Sequence, residues 1–303
     1  MMKPTASSNP PVNGENRWKI SSSFTDIIHA EYKDIQADAL AFVGESRHKV
    51  SHSVLKKHIS DRFTISSRQA HQIISHLVAN GQLSYTYEYG SSYLEISFHR
   101  PVRVGSRFFL IPPGWTETTS ENSVPLRIHP GAAFGCGRHP TTRLALQGIE
   151  AVLLNHRRRV SGNKAQALDI GTGSGILAIA ALKLGIARAI GIDRDACARA
   201  EATDNASLNH LDNRFLVMDN PVHDLGAYAP FTLILANLRY PTLLNLQATV
   251  SGLLAPDGVM VISGIKRVEQ ARILAAYAQS GFQSCWSKED KGWVGIVLRQ
   301  SAP

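Results

Sequence analysis

The sequence predicts an α/β protein: a doubly wound, largely parallel sheet preceded by a smaller α+β domain of three helices and a hairpin. Three observations predict it. Beyond Ala165, apolar runs of strand length alternate with stretches of helix length. The run Leu168-Asp169-Ile170-Gly171-Thr172-Gly173-Ser174-Gly175-Ile176-Leu177 reads as strand, glycine turn and helix, and Ile190-Gly191-Ile192-Asp193 then brings an acid to the tip of the next strand. Upstream of both, apolar positions recur at three and four residues in three segments and then switch to alternation.

The chain of 303 residues is long enough for about two domains, and 44% hydrophobic with 18% charged residues is ordinary globular composition. Residues 1 to 16, rich in Ser, Pro and Asn, read as a disordered tail. They lack the roughly seven consecutive apolar residues of a secretory signal. Lys183 and Arg188 interrupt later apolar runs far short of the roughly twenty residues that span a bilayer. The expectation is a cytoplasmic protein with no membrane partner. Cys136, Cys197 and Cys285 are odd in number and far apart, so reduced thiols are expected, with neither a disulfide framework nor a metal site. A net charge of +8 and a pI near 9.5 favour acidic or nucleic-acid-associated surroundings, but the excess is spread along the chain and forms no basic tail.

The first domain is expected over residues 17 to 99. Residues 36 to 46 form an apolar-periodic helix, and Val54, Leu55, His58 and Ile59 stripe a second, short one. Ser66 or Ser67 caps a third helix whose Ala70, Ile73, Ile74, Leu77 and Val78 share a face until Asn80-Gly81 ends it. Residues 83 to 87 and 93 to 98 alternate and pair across Gly90-Ser91-Ser92. Three helices and a hairpin suggest a winged helix. Such a domain can put its third helix in the major groove of DNA. Here the positions expected to be exposed on that helix carry one full positive charge, Arg68, where phosphate neutralisation demands several, so nucleic acid is possible but protein recognition is favoured. The seven His residues before position 100 read as a solvated polar face.

Residues 100 to 129 are connecting strands, two of them short and ending at Pro112-Pro113. The catalytic domain is expected over 130 to 303, with strands at 166 to 170, 188 to 192, 214 to 218, 231 to 236, 258 to 263 and 293 to 298. Helices fall around 176 to 184, 195 to 209, 241 to 254 and 266 to 280. In such a sheet ligands bind at the carboxyl ends of the strands.

The glycines at 171, 173 and 175 depart from the dinucleotide fingerprint, which would need a glycine at Ile176. Gly171 suits the tight turn, Gly173 lets backbone amides approach a ligand, and Gly175 packs helix on strand. Asp193 can accept from two ribose hydroxyls. The pattern resembles the first motif of class I S-adenosylmethionine-dependent methyltransferases, acidic-x-G-x-G-x-G. Three further segments sharpen the resemblance: residues 130 to 142, containing Phe134-Gly135-Cys136-Gly137-Arg138-His139-Pro140-Thr141-Thr142; Ala236-Asn237-Leu238; and Ser263-Gly264-Ile265. With the helix from Ala178 to Gly185 they look like the PrmA-type family, the methyltransferases of ribosomal protein L11, from about Arg100 to Arg299. The resemblance implies a Rossmann-like class I methyltransferase domain, S-adenosyl-L-methionine as cofactor, and a protein substrate, a ribosomal one first. The chain departs from the family at Arg138, where a small residue or threonine is usual, and at Arg239 and Tyr240, where small apolar residues are. The family's usual ferredoxin-like amino-terminal domain is also not what residues 36 to 98 resemble.

The resemblance places the loop from Phe134 and Gly135 to Thr141 and Thr142 over the methionine end of the cofactor; the residues themselves could equally cap the helix through Leu144, Leu146 and Ile149. Asn237, at the end of the fourth strand, offers an amide acceptor to an incoming nitrogen, or else caps the helix near Pro241. His139 is either a loop-fixing hydrogen bonder or a base. Asp169 meets the cofactor's ammonium through water or supports the loop. Thr172 belongs to the cofactor turn, and Asp219 can accept from the adenine amino group. Two rivals remain: a methyltransferase for nucleic acid or a small molecule, suggested by Arg138 and Arg239, and a non-catalytic winged-helix protein that senses the cofactor.

Overall fold

The computed structural model describes residues 25–46, 48–88, 90–98, 100–112, 114–115, 122–129, 131, 133–135, 137–155 and 162–300. The expected tail at 1 to 16 and Cys136 lie outside the described residues. Among the described residues no helix is long and apolar enough to cross a membrane, and no group of three or more His, Cys, Asp or Glu side chains could hold a metal.

The amino-terminal part contains α1 (Thr25–Glu45), α2 (His52–Phe63), α3 (Ser67–Ala79) and an antiparallel hairpin of β1 (Leu83–Glu88) and β2 (Ser91–Ile96). Its core is a separate cluster in which Ile35, Ala39 and Val43 meet Leu55, Ile59, Ile74 and Leu77. Apolar periodicity marks only the turns that pack, so the helix expected at 36 to 46 in fact begins at Thr25. The third helix starts at the expected place: Ser66 accepts from the Gln69 amide while the Gln69 side chain accepts from the Ser66 amide, a reciprocal cap. A β-bridge joins Val50, ahead of α2, to Leu94 of the hairpin. The histidines are not all solvated. His58 lies against Asp38 (2.7 Å) and stacks on Phe42, because the second turn of α2 faces α1.

A three-stranded sheet follows, β3 (Val102–Arg103), β4 (Phe108–Ile111) and β5 (Val124–Arg127), with β4 and β5 parallel. Phe108, Leu110, Val124 and Leu126 belong to the same core cluster as α4 (Pro140–Asn155), so the connecting strands pack as part of the larger body. The main sheet has β6 (Gly162–Ile170), β7 (Ile186–Ile192), β8 (Phe215–Met218), β9 (Phe231–Asn237), β10 (Leu254–Lys266), β11 (Phe282–Asp290) and β12 (Trp293–Gln300), in the order β11-β12-β10-β9-β6-β7-β8. The five strands from β10 to β8 are parallel, and β12 pairs antiparallel with β10 on one side and with β11 on the other. The helices are α5 (Ile176–Lys183), α6 (Ala196–Leu208), α7 (Tyr240–Leu253) and α8 (Gln270–Gln279).

Alternate residues of the central strands feed two cores. Ala167, Leu233, Leu235 and Val261 pack with α4, α5 and α6; Leu168, Ile234, Ala236 and Ile262 pack with α7 and α8. Strand order reverses at β6: β7 and β8 lie on one side of it, β9 and β10 on the other. The glycine turn after Ile170 therefore opens at the topological switch point, where a sheet of this kind has its crevice.

Candidate active site

The glycine turn is built without spare amides. Gly171, Gly173 and Gly175 have φ of +70°, +55° and +79°, a left-handed path open mainly to glycine. Within that path the amides of Gly171 and Thr172 donate to the Ile192 carbonyl (2.8 and 3.0 Å), that of Gly173 to Asp193 Oδ2 (3.0 Å), and that of Ser174 to the Phe134 carbonyl (3.0 Å). This corrects the expectation that Gly173 frees amides for a ligand. A Cβ on Gly173 would collide with the Phe134 carbonyl, so glycine is needed there for the close approach of a second loop. Gly175 packs as expected, since a Cβ would meet the Phe215 ring at 2.9 Å and the Ala202 backbone at 3.2 Å. A turn whose amides are all engaged is a poor cradle for phosphates, which are held by amides aimed at them.

Two acids flank the turn. Asp193 Oδ2 accepts from Gly173 and Oδ1 from the Asp195 amide (3.0 Å), and each carboxylate oxygen keeps a further acceptor site, the arrangement two vicinal hydroxyls require. Asp169 is buried. Its Oδ2 accepts from Thr172 Oγ1 (2.8 Å) and the Ala178 amide (3.2 Å), whereas Oδ1 has no partner. Burial raises its carboxyl to about 7, against which the bonds from Thr172 and Ala178 pull downward. Asp219, past β8, is exposed and 3.6 Å from the Arg199 guanidinium, which also donates to the Asp193 carbonyl (2.9 Å).

The loop before α4 folds back over the turn. Besides the Phe134 contact, the Gly135 carbonyl accepts from Ser174 Oγ (3.0 Å). Thr141 and Thr142 lie in the first turn of α4, both buried, behind Pro140 at a position that needs no N–H. Neither is the cap. His139 precedes the helix and its Nδ1 faces the Thr141 amide (3.3 Å) and hydroxyl (2.8 Å). Accepting from that amide leaves the imidazole proton on Nε2. Burial, and after it Arg143, holds His139 below the usual histidine range, with Asp290 acting the other way. Its ring is flanked by Phe134 and Trp293 at centroid distances of 5.5 and 5.1 Å.

Asn237 ends β9, in register with Ser263 on β10. The residue ahead of α7 is Arg239, and no side chain caps that helix, so capping by Asn237 is overturned. Its Nδ2 points at Thr142 Oγ1, 3.4 Å away, which joins the end of β9 to the first turn of α4. Sequence reasoning missed Ser174, Trp293 and the α6 side chains Glu201 and Asn205. The spacing of Glu201, Asn205 and Asn209, one helical turn apart, was a signal for the last two.

Beyond the loop a cavity of about 720 Å³ opens between the two parts of the chain. Phe134 and His139 line it from the loop, Thr142 from the first turn of α4, Trp293 from β12, and Tyr93 and Glu95 from the hairpin. Arg138 reaches across its edge, its guanidinium 5.0 Å from the Phe98 ring centre.

A family model described as ribosomal protein L11 methyltransferase (PrmA) matches residues 55–301. The chain is 35% identical over 227 residues to the ribosomal protein L11 methyltransferase of Chloroflexus aurantiacus, a match covering 67% of this chain and 66% of that protein. It is 36% identical over 201 residues to the enzyme of the same name from Pseudomonas putida W619, covering 66% and 65%. The matched stretch thus spans just under two thirds of the length of these relatives. Among solved structures, a ribosomal protein L11 methylase from Lactobacillus delbrueckii subsp. bulgaricus superposes with a TM-score of 0.59 at 28% identity, over 67% of this chain and all of that one. The family model covers most of this chain, and the chain belongs to the ribosomal protein L11 methyltransferase (PrmA) family.

Proposed function

We propose that the chain is an S-adenosylmethionine-dependent protein N-methyltransferase acting on lysine ε-amines or an N-terminal α-amine, with a ribosomal protein as substrate, L11 by the names of its relatives. The single observation that carries the reading is the clasp of Phe134 and Gly135 on a glycine turn with no amide left for phosphate. The residues fit this cofactor: Asp193 has two acceptor sites for ribose hydroxyls, the orphaned Oδ1 of Asp169 suits an ammonium, and the amides of residues 171 to 175 are all engaged within the protein. Asp219 is assigned to the adenine amino group. Gly171, Thr172, Gly173 and Gly175 form the turn beneath, and Thr141 and Thr142 hold the loop above.

When bound, the cofactor supplies an already activated methyl group on a sulfonium. The protein's part is to align the acceptor nitrogen and exclude water. Asn237 offers its amide oxygen to that nitrogen, and His139 keeps the loop in place with a neutral ring. The acceptor must arrive as a free amine although a lysine normally titrates near 10.4. The cavity supplies the bias. The chain's own Lys291, which lines it, is held below the usual lysine range by burial first and then by Arg143, with Asp290 and Glu95 opposing. An amine brought into the same surroundings is pushed the same way.

Residues 17 to 99 are assigned as a winged-helix-like recognition domain, 100 to 129 as connecting strands and 130 to 303 as the methyltransferase domain, working in the cytoplasm. Incubating the full chain with labelled cofactor and purified ribosomal protein L11, beside total ribosomal protein and ribosomal RNA, tests the proposal. Label in protein amines supports it. Label confined to RNA or to small molecules would replace it with the first rival, and binding of cofactor without any transfer with the second.

A further inference from the structure

We propose that a row of polar side chains on α6 and at its carboxyl-terminal cap, Glu201, Asn205 and Asn209, positions the loop over the cofactor turn and thereby sets cofactor affinity. The three are one helical turn apart, and each meets the backbone of the chain that leads from β5 into the loop. Asn209 accepts from the Arg127 amide (3.1 Å) and donates to its carbonyl (2.6 Å). Asn205 accepts from the His129 amide (2.9 Å). Both oxygens of Glu201 lie 3.1 Å from the Ala133 amide. Four residues of helix rise about 6 Å, and two residues of extended chain about 6.6 Å. From Asn209 to Asn205 the two rises match, and the partners advance two residues, from Arg127 to His129; from Asn205 to Glu201 the segment advances four residues, to Ala133, so the row fixes the descending chain at three successive points.

The row also fixes the turn beneath. Asn205, fully buried, donates to the Ser174 carbonyl (2.8 Å), while Ser174 holds the carbonyls of Phe134 and Gly135. One asparagine thus ties the descending chain to the cofactor turn, and the turn ties itself to the loop. Gly131 lies so close under Glu201 that a Cβ there would run into its carboxylate. These are positioning residues: they touch the segment that would cover the cofactor, and act through it.

This role rests on the methyltransferase reading, and the two fail differently. Calorimetry of S-adenosylhomocysteine binding to the full chain is paired with thermal melting. Wild type is expected to bind, and Glu201→Ala to bind about tenfold more weakly, as loss of a hydrogen bond to a charged acceptor implies. Glu201→Gln, which keeps an acceptor oxygen, should recover most of that loss. Asn205→Asp retains the acceptor for His129 but sets a carboxylate against the Ser174 carbonyl, and should weaken binding as well. Thr203→Ala, on the exposed face of α6, should bind as wild type does. If Glu201→Ala does not fold, Gly131→Ala disturbs the same contact from the loop side and should lower affinity likewise. Folded variants that melt earlier yet bind with wild-type affinity well below their melting temperature would overturn the proposal, as would unaltered binding in Glu201→Ala or Gly131→Ala. Wild type that does not bind overturns the methyltransferase reading, and this role with it.

Discussion

Asp169 keeps one oxygen in hydrogen bonds and leaves the other bare inside the protein, and its carboxyl stands near 7 as a result. The unfolded value is about 3.9. The folded state therefore binds the extra proton in that interval, and this group's contribution to stability is complete below about pH 4 and lost as pH rises through 7. The melting temperature of the ligand-free protein should carry a component that falls over that range and disappears in Asp169→Asn. An ammonium ligand needs the carboxylate, so affinity for S-adenosylhomocysteine should climb from pH 6 to 8 in the wild type and stay flat in the variant by calorimetry. Asn237→Ala should lower kcat far more than cofactor affinity, the signature of an interaction made in the transition state. Its side-chain bond to Thr142 is long and caps nothing, so folding should lose less than about 1 kcal/mol. The motif made these residues legible. What it hid was the use of the glycines: Gly173 reads as room for a ligand, and only the fold brings the Phe134 carbonyl, from a distant segment, into that room.

Among elements, α4 is secured by a side chain no motif announces. Glu150 is buried on its inner face and accepts from the amides of Ser106, Arg107 and Phe108 and the hydroxyl of Ser106, at 2.6 to 3.0 Å. A carboxylate surrounded by donors fastens the turn between β3 and β4 to the helix, and Gly105 is needed there because a Cβ would strike that carboxylate. Glu150→Ala would strand several amides without partners. The expected cost is about 3 kcal/mol, read as a lower denaturant midpoint with an unchanged slope. The sequence held a hint, because Glu150 adjoins Leu146, Ile149 and Leu153, where an unpaired acid would not be tolerated. Strand β11 was illegible for a different reason. Its residues Phe282 to Asp290 are mostly polar and mostly exposed, with Phe282 buried and Trp286 half-buried, so no alternation survives at the sheet edge. The parallel strands were legible because both their faces are buried and they read as unbroken apolar runs.

At the scale of the whole molecule, the hairpin rather than the third helix meets the candidate site. Residues 36 to 98 precede the connecting strands as the family's substrate-recognition module does, which makes the third helix, with its exposed Arg68 and Gln72, the expected determinant of substrate choice. None of the described α3 residues lines the cavity beside the loop; Tyr93 and Glu95 of β2 do, with Lys49 ahead of α2. Topology explains the shift, because β2 is bridged to Val50 and its end leads directly into the connecting strands, which carries that edge toward α4 and β12. Glu95→Ala and Tyr93→Ala in the full chain should therefore raise KM for a protein acceptor several-fold while leaving S-adenosylhomocysteine affinity unchanged, since neither residue approaches the glycine turn. A several-fold change corresponds to roughly 1 kcal/mol, within the span of one polar contact. The double change Arg68→Ala with Gln72→Ala should leave that KM nearly untouched. The opposite ranking would return recognition to α3, and if KM then rose with salt along a steep, linear logarithmic slope, the partner there would be a phosphate backbone and not a protein.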